Sequence, residues 1–278
     1  MSAFLPTDER PIGVFDSGVG GLSVAREMLR LLPSEALLYY ADTAHVPYGG
    51  RPLAEVQGFA LHICEFLVER GAKMIVMACN ISSAVALDAA QERHPDIPML
   101  GVLRPGARAA VRTGAERIGV LATQGTVASG AYERAIHEAD KGLSVAQVAC
   151  PKFVPLVEAG ETEGPAAAAA CREALAPLTT GPAPCDAVIL GCTHYPFLLP
   201  MLQRLAAEMF SPAPPAFIDP AGETVLAARE MLRSRGIAAP ERDGRAPSRY
   251  FASGDVAQFA AHAPLLLGAP VRSVERGG

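Results

Sequence analysis

The chain has 278 residues, of which 50% are hydrophobic and 19% are charged. This composition is typical of a folded globular protein and excludes a disordered chain. Its 24 basic and 29 acidic residues give a formal net charge of −5, so no global positive field would attract nucleic acid. We therefore expect no nucleic-acid partner.

The first fifteen residues do not resemble a secretory signal. They carry the acidic pair Asp8 and Glu9 and lack both a basic start and a continuous apolar segment. No run approaches the roughly 18 apolar residues that a membrane-spanning helix needs. The sequence predicts a cytoplasmic protein with no membrane contact, whose six cysteines, without a C-x-x-C pair, are free thiols.

Short apolar runs alternate along the chain with longer stretches of helical composition, which predicts an α/β fold with helices covering mostly parallel sheets. The predicted strands are residues 12–15, 36–40, 74–77, 99–102, 118–121, 187–190 and 216–218. The predicted helices are residues 22–32, 52–70, 82–92, 129–138, 164–178 and 196–209.

The chain shows an internal duplication when it is aligned with itself. Residues 12–18 (IGVFDSG) match residues 118–124 (IGVLATQ), and residues 76–80 (VMACN) match residues 189–193 (ILGCT). Self-similarity of this kind predicts repeated structural units. We therefore expect two similar lobes, related by a pseudo-twofold axis, that face each other across an active-site cleft and contribute one cysteine each.

Cys79 and Cys192 each follow an apolar strand and precede a helical segment. This places them at the carboxyl ends of strands, where α/β proteins bind ligands. A helix start also lowers the pKa of a thiol, which predicts a reactive cysteine. The alternative, a small buried hydrophobe, is our interpretation of the other four cysteines. The polar neighbours Asn80, Thr193 and His194 favour function at these two.

A glycine-rich loop, residues 16–21 (DSGVGG), lies between a predicted strand and a predicted helix. Backbone N–H groups in such a loop favour an anion, whereas the alternative for Asp16 and Ser17 is helix capping. The loop is not a dinucleotide fingerprint, because Ser23 stands where the next glycine is required. His194 belongs to no metal-ligand motif, so we expect no metal and a hydrogen-bonding role beside Cys192.

Two opposed thiols and an anion-binding loop suit one kind of chemistry. Inversion of a stereocentre requires a base on one face of the carbon and an acid on the other. Backbone N–H groups near the substrate carboxylate stabilise the carbanion-like charge that develops after proton removal. The arrangement therefore favours a racemase that needs no cofactor.

Several long motifs, in order, resemble those of bacterial glutamate racemases. They are residues 16–22 (DSGVGGL), 41–42 (AD) through 47–49 (PYG), 78–80 (ACN), and 190–196 (LGCTHYP), with further likeness at 125–127, 131–132 and 155–158. The resemblance covers nearly the whole chain. It implies an enzyme that interconverts L-glutamate and D-glutamate for peptidoglycan synthesis, without pyridoxal phosphate or any other cofactor.

The resemblance also implies roles for individual residues. Cys79 and Cys192 would donate and accept protons, with Asp16 assisting the first thiol and His194 the second. Glu158 would be an auxiliary carboxylate of the site. The residues that would line the substrate are Asp16, Ser17, Tyr48, Gly49, Asn80, Ile81, Thr193 and His194.

Ile81 departs from the family pattern, which usually has threonine after the asparagine. A hydroxyl expected to bind substrate is therefore absent, although the backbone N–H of Ile81 remains available. Loss of one hydrogen bond to a charged group costs about 1.5 to 3 kcal/mol. We therefore expect a slower racemase or one with altered specificity.

By resemblance, one lobe would comprise residues 1–103 and 214–278 and the other residues 104–213, and the protein would form a homodimer. Two alternatives to glutamate racemisation stay open. One is a racemase or isomerase of the same superfamily that acts on another carboxylate. The other is a catalytically weak paralogue that binds a protein, DNA gyrase being the partner described for some family members.

Overall fold

Strands and α-helices alternate along residues 7–181 and 183–277, which the computed structural model describes. The strands are β1 (Ile12–Asp16), β2 (Leu37–Ala41), β3 (Met74–Met77), β4 (Met99–Gly101), β5 (Arg117–Ala122), β6 (Ser144–Ala149), β7 (Ala187–Gly191), β8 (Ala216–Ile218), β9 (Arg249–Ala252) and β10 (Val274–Arg276). The α-helices are α1 (Leu22–Leu31), α2 (Leu53–Glu69), α3 (Asn80–Arg93), α4 (Leu103–Arg112), α5 (Gln124–Ser129), α6 (Ala131–Ala139), α7 (Phe153–Glu158), α8 (Pro165–Leu175), α9 (Leu199–Met209), α10 (Pro220–Ser234) and α11 (Val256–Leu267).

The described residues form two units, each with its own parallel sheet. Unit 1 contains the described parts of Met1–Val102 and Ala221–Gly278, and unit 2 is Leu103–Pro220 apart from residue 182. The strand order is β10-β9-β2-β1-β3-β4 in unit 1 and β6-β5-β7-β8 in unit 2, and every pairing is parallel. The predicted α/β class, with two similar lobes built on parallel sheets and helices, is confirmed.

The second crossing between the units lies later in the chain than the predicted boundary at residues 213–214. Residues 216–218 form β8, which pairs with β7, so they belong to unit 2 although we expected them in the first lobe. The first crossing, after Val102, differs from the prediction by a single residue. Residues 1–6 and 278 of the predicted first lobe, and residue 182 of the second, lie outside the described residues.

Register within the two sheets supports the duplication. Val14 of β1 pairs with Val76 of β3, and Val120 of β5 pairs with Ile189 of β7. These are the residues that the self-alignment matches, so both matched strand pairs occupy the same place in their ladders. In unit 1, β1 pairs with β3, the strand before Cys79. In unit 2, the matching strand β5 pairs with β7, the strand before Cys192.

Glycine in the central strands permits close packing of a helical segment in both units. A Cβ at Gly13 would lie 3.1 Å from Leu67 Cδ1, and one at Gly119 would lie 2.9 Å from Leu178 Cδ1. Both distances are shorter than ordinary carbon contacts. A larger residue would therefore push the helical segment away from the strand in either unit.

The sheet of unit 1 is buried on both faces. Val14 belongs to one apolar cluster with residues of α1, α10 and α11, whereas its neighbour Phe15 belongs to another with residues of α2 and α3. Successive side chains in a strand point to opposite faces, which explains why this strand is apolar without alternation. Among the described residues, no helix has both the length and the apolar content needed to cross a membrane.

All seven predicted strands are present, but β6, β9 and β10 were missed. β6 is partly exposed and includes Gln147, and β10 is an exposed three-residue edge strand. The predicted helix over 129–138 is interrupted at Gly130, whose φ of 63° lies in the left-handed region that favours glycine. Five helices were also missed, which are α4, α5, α7, α10 and α11.

Candidate active site

Asp16 ends β1 and is completely buried. Its Oδ2 accepts hydrogen bonds from the N–H groups of Gly18 at 3.1 Å and Gly21 at 3.0 Å. A Cβ at Gly21 would lie 2.5 Å from the Asp16 Cβ, so only glycine allows this approach. Two N–H groups of the loop therefore hold the Asp16 carboxylate. Its other oxygen, Oδ1, is buried and has no hydrogen-bond partner among the described residues.

Cys79 follows β3 and is the N-cap residue of α3, with 5% of its surface exposed. Burial is the main reason that the pKa of its thiol is raised to about 12, and the nearby Asp16 carboxylate acts in the same direction. The hydroxyls of Ser82 and Ser17 and the backbone N–H of Ser82 act in the opposite direction. Our prediction of a lowered pKa is therefore wrong for Cys79, because loss of solvent outweighs the helix start.

Tyr48 and Ile81 pack beside this thiol. Together with Val56 and Cys79 they form a small buried apolar cluster. Ile81 is almost fully buried, so its side chain adds apolar surface next to the sulfur at the position where a hydroxyl was expected. The cluster contributes to the desolvation that raises the pKa of Cys79.

Asp42, which we did not predict as a site residue, holds Tyr48 in place. Its Oδ2 accepts a short hydrogen bond from the Tyr48 hydroxyl, and its Oδ1 lies 2.8 Å from His45 Nδ1 and 2.6 Å from Ser253 Oγ. Asp42 directly follows β2 and Ser253 directly follows β9. A polar residue immediately after a buried strand was the signal that could have identified Asp42, whereas β9 itself had been missed.

The remaining predicted residues of unit 1 lie on the loops after β1 and β2 and at the start of α3. Ser17 is half-buried after Asp16, and Gly49 is half-buried after Tyr48. Asn80 is the first residue of α3 and is buried. The structure thus brings Asp16, Ser17 and Tyr48 into the electrostatic surroundings of Cys79.

Cys192 follows β7 in unit 2 and has 8% of its surface exposed. Its Sγ lies 3.8 Å from His194 Nδ1, and His194 Nε2 lies 3.5 Å from Glu158 Oε1. The imidazole is buried, whereas the Glu158 side chain, at the end of α7, is 48% exposed. Thiol, imidazole and carboxylate therefore form a chain from the interior to solvent, with Thr193 buried beside it.

Thr123 and Thr126 are further polar groups at this end of the unit 2 sheet. Thr123 is the N-cap of α5, and its Oγ1 accepts a hydrogen bond from the Thr126 N–H at 3.4 Å and lies 3.0 Å from Thr126 Oγ1. The self-alignment matches Thr123 with Ser17. That match was the signal by which Thr123 could have been included among the predicted site residues.

Each unit therefore carries a buried thiol at the carboxyl end of a parallel sheet. The Cys79 thiol lies near a buried carboxylate, and the Cys192 thiol lies near a buried imidazole. Thiols beside ionisable partners at strand ends are typical of α/β enzymes that transfer protons. The fold and the site together indicate an α/β enzyme that transfers protons.

Comparison with known proteins narrows the class. The family model of Asp/Glu/hydantoin racemases matches residues 12–228. A glutamate racemase of Microcystis aeruginosa is 46% identical over 250 residues, which are 90% of this chain and 85% of that protein. Among solved structures, a glutamate racemase isoform of Bacillus anthracis has a TM-score of 0.85 and 39% identity, with 98% of each chain covered.

A third similar protein is the glutamate racemase of Francisella tularensis, solved in complex with D-glutamate. It has a TM-score of 0.87 and 29% identity, again with 98% of each chain covered. The chain belongs to the Asp/Glu/hydantoin racemase family, within its glutamate racemase group. Racemases are isomerases, so this protein is an enzyme of the isomerase class.

Proposed function

We propose that this protein interconverts L-glutamate and D-glutamate without a cofactor. One of the two cysteines, Cys79 or Cys192, removes the Cα proton, and the other returns a proton to the opposite face. One observation carries the proposal. In each unit a buried thiol follows the matching strand of the sheet, β3 or β7, and has an ionisable partner. The glutamate racemases to which the chain is similar support glutamate as the substrate.

Proton balance is maintained by exchange of roles between the thiols. A thiolate accepts the Cα proton and becomes a thiol, while the electron pair of the C–H bond passes to Cα and its carboxylate. The second thiol then protonates Cα from the other face and becomes a thiolate. The enzyme is thereby left ready for the reverse direction, and no oxidant or external base is consumed.

Substrate binding has to promote thiolate formation at Cys79. The pKa of this thiol is about 12, so the empty site holds the protonated form at neutral pH. A glutamate ammonium group near the sulfur would favour the thiolate, because an opposite charge lowers the pKa of an acid. Asp16 Oδ1, which has no partner among the described residues, provides an acceptor for that ammonium group.

The polar residues near each thiol bind and orient the substrate in this proposal. Ser17, Tyr48, Gly49 and Asn80 act in unit 1, together with the backbone N–H of Ile81. Thr193 and His194 act in unit 2, with Glu158 next to His194. Backbone N–H groups at the loop and helix starts stabilise the negative charge that moves onto the substrate carboxylate.

The biological part of the proposal rests on family membership. We propose that the enzyme is cytoplasmic, forms a homodimer and supplies D-glutamate for peptidoglycan. Sedimentation velocity of the purified protein at several concentrations tests whether it forms a dimer. A monomer across the range would contradict that part and leave the catalytic proposal intact.

Incubation with D-glutamate in D₂O without added cofactor tests the reaction. We expect the Cα proton signal to disappear and L-glutamate to form. Cys79→Ser and Cys192→Ser should each lower racemisation by about 10² to 10⁴, the usual contribution of one acid or base. Each variant should still exchange the Cα proton of one enantiomer, a different one in each case.

Cys64→Ala is the matched control, because Cys64 is another fully buried thiol of unit 1. It should retain racemisation. Racemisation that persists in either serine variant would contradict the two-thiol mechanism. No exchange by the wild-type protein would contradict glutamate as substrate and favour another carboxylate or a protein-binding role.

A further inference from the structure

Ser82 has no role in the site described so far, yet its position needs an explanation. It is the third residue of α3 and is fully buried. Its hydroxyl has no hydrogen-bond partner of normal geometry among the described residues. A buried hydroxyl without a partner destabilises a protein, so a state in which this hydroxyl does find a partner would be favoured.

The Cys79 sulfur lies at the same helix start, three residues earlier in the chain. Cys79 is the N-cap of α3, and the side chain of an N-cap residue faces the backbone N–H of the residue three positions later. Here that residue is Ser82. Its N–H and its hydroxyl both lower the pKa of Cys79, so both groups lie on the sulfur side of the helix start.

We propose that Ser82 is a catalytic residue whose hydroxyl donates a hydrogen bond to the thiolate of Cys79. A hydroxyl hydrogen rotates freely to suit its acceptor, and a thiolate accepts much more strongly than a thiol. The hydrogen bond therefore forms when the proton leaves the sulfur and weakens when it returns. Such a donor stabilises the basic form of Cys79 selectively, which is what proton abstraction requires. Its place in the reaction rests on the proposed function.

The neighbouring Ser83 provides a matched control. Its Oγ lies 2.9 Å from the carbonyl oxygens of Met77 and Cys79, and it accepts the N–H of Val102 at 3.3 Å. Its hydroxyl is therefore fully engaged with the backbone and ties β3 to α3. Ser83→Ala should lower thermal stability, whereas Ser82→Ala removes a hydroxyl that makes no backbone hydrogen bond among the described residues.

Alkylation of Cys79 in the substrate-free protein tests the proposal independently of racemisation. Iodoacetamide is applied across a pH series, and the modified Cys79 peptide is quantified by mass spectrometry. Loss of one hydrogen bond to a charged group lowers the thiolate population about tenfold. The higher nucleophilicity of a more basic thiolate offsets part of this loss. We therefore expect about threefold slower alkylation in Ser82→Ala and a pH profile displaced to higher pH.

Racemisation is measured in the same variants. Ser82→Ala should lower kcat with little change in KM, because the hydroxyl acts on the sulfur and not on glutamate. The fold is expected to persist, since alanine is a better helix former than serine. The kcat/KM profile should move to higher pH together with the alkylation profile, a shift that a purely structural role would not produce.

Three outcomes would overturn the proposal. These are an unchanged alkylation profile in Ser82→Ala, slower alkylation with unchanged kcat, or an equal displacement of the profile in Ser83→Ala. Failure of the proposed function is a separate result, because it would appear as absence of glutamate racemisation by the wild type. In that case the alkylation profiles still decide whether Ser82 stabilises the Cys79 thiolate.

Discussion

The two thiol sites use the same scaffold and different ionisable partners. Cys79 and Cys192 follow β3 and β7, which hold the same place in their sheets. The self-alignment matches Asp16 with Ala122 and Ile81 with His194. Unit 1 thus has its ionisable partner at the end of β1, whereas unit 2 has it two residues after the cysteine. The repeated fold sets where each thiol lies, and the ionisable side chain beside it differs between the units.

That difference has a chemical consequence. Burial and, after it, the Asp16 carboxylate raise the pKa of the Cys79 thiol, whereas the neighbour of the Cys192 thiol is an imidazole, which can both accept and donate a proton. Different ionisable groups therefore lie beside the two thiols that catalyse opposite halves of one proposed reaction. The largest effects are expected when the ionisable partner of each thiol, Asp16 or His194, is replaced by asparagine.

Asp16→Asn and His194→Asn should each lower kcat by about 10- to 100-fold, because each removes an ionisable group that assists a thiol in proton transfer. Their effects on the thiols should be separate. Asp16→Asn removes the anion near Cys79 and should accelerate alkylation of Cys79 by iodoacetamide, although racemisation becomes slower. His194→Asn should change alkylation of Cys192 only. An equal change at both cysteines in either variant would show that the two sites are not electrostatically independent.

Buried thiols allow a second comparison between the units. Burial raises the pKa of Cys64 in unit 1 and of Cys150 in unit 2 to about 12, from an ordinary value of 9.0. Above pH 9 the unfolded chain releases these protons and the folded protein keeps them. The free energy of unfolding should therefore fall with rising pH, by up to about 1.4 kcal/mol per pH unit for each thiol.

Urea denaturation between pH 8 and 10 measures this effect. Cys64→Ala and Cys150→Ala should each make the decline with pH less steep, and by similar amounts. If a variant loses the same free energy of unfolding at every pH, the loss would come only from the cavity that the smaller alanine leaves. A flatter decline in one variant alone would show that the two units differ in how fully they desolvate a thiol.

Ile81→Thr should produce the smallest change. It introduces the hydroxyl that the family resemblance led us to expect two residues after the first cysteine, and kcat/KM should rise several-fold, by no more than the roughly tenfold that one such hydrogen bond provides. Removal of apolar surface from the cluster around Cys79 should also lower thermal stability. Ile81→Val, which has the same shape as threonine without the hydroxyl, is the control.

Steady-state kinetics in both directions distinguish the two explanations. A rise in threonine but not in valine assigns the effect to the hydroxyl. An equal rise in both variants would assign it to side-chain size. No change in either kcat or KM would mean that Ile81 does not limit this enzyme.

Much of the fold followed from local patterns. The strands buried on both faces, such as β1 and β3, are continuous apolar runs that sequence identifies easily. β6 and β9 were missed because their residues are only partly apolar or follow a charged segment. The break between α5 and α6 depends on the backbone of Gly130, and glycine by itself does not reveal which conformation it adopts.

For the site, too, the sequence predicted some features and the structure was needed for others. Sequence placed both cysteines at strand ends and proposed Asp16 and His194 as their partners, because residue type and neighbours carry that information. It did not reveal that Asp42 holds Tyr48, since Ser253 reaches Asp42 from a strand more than 200 residues away in the chain. It also misjudged the pKa of Cys79, which depends on packing.

By itself the sequence determined the α/β class, the duplicated strands and the two candidate thiols. These depend on hydrophobic periodicity and residue type, which are local properties of a chain. Only the tertiary structure decided that Cys79 is desolvated by the cluster containing Ile81, that the Asp16 carboxylate is held by the glycine loop, and that the Ser82 hydroxyl is fully buried at the start of α3. Such features arise when residues distant in sequence exclude water together, and no local pattern records that exclusion.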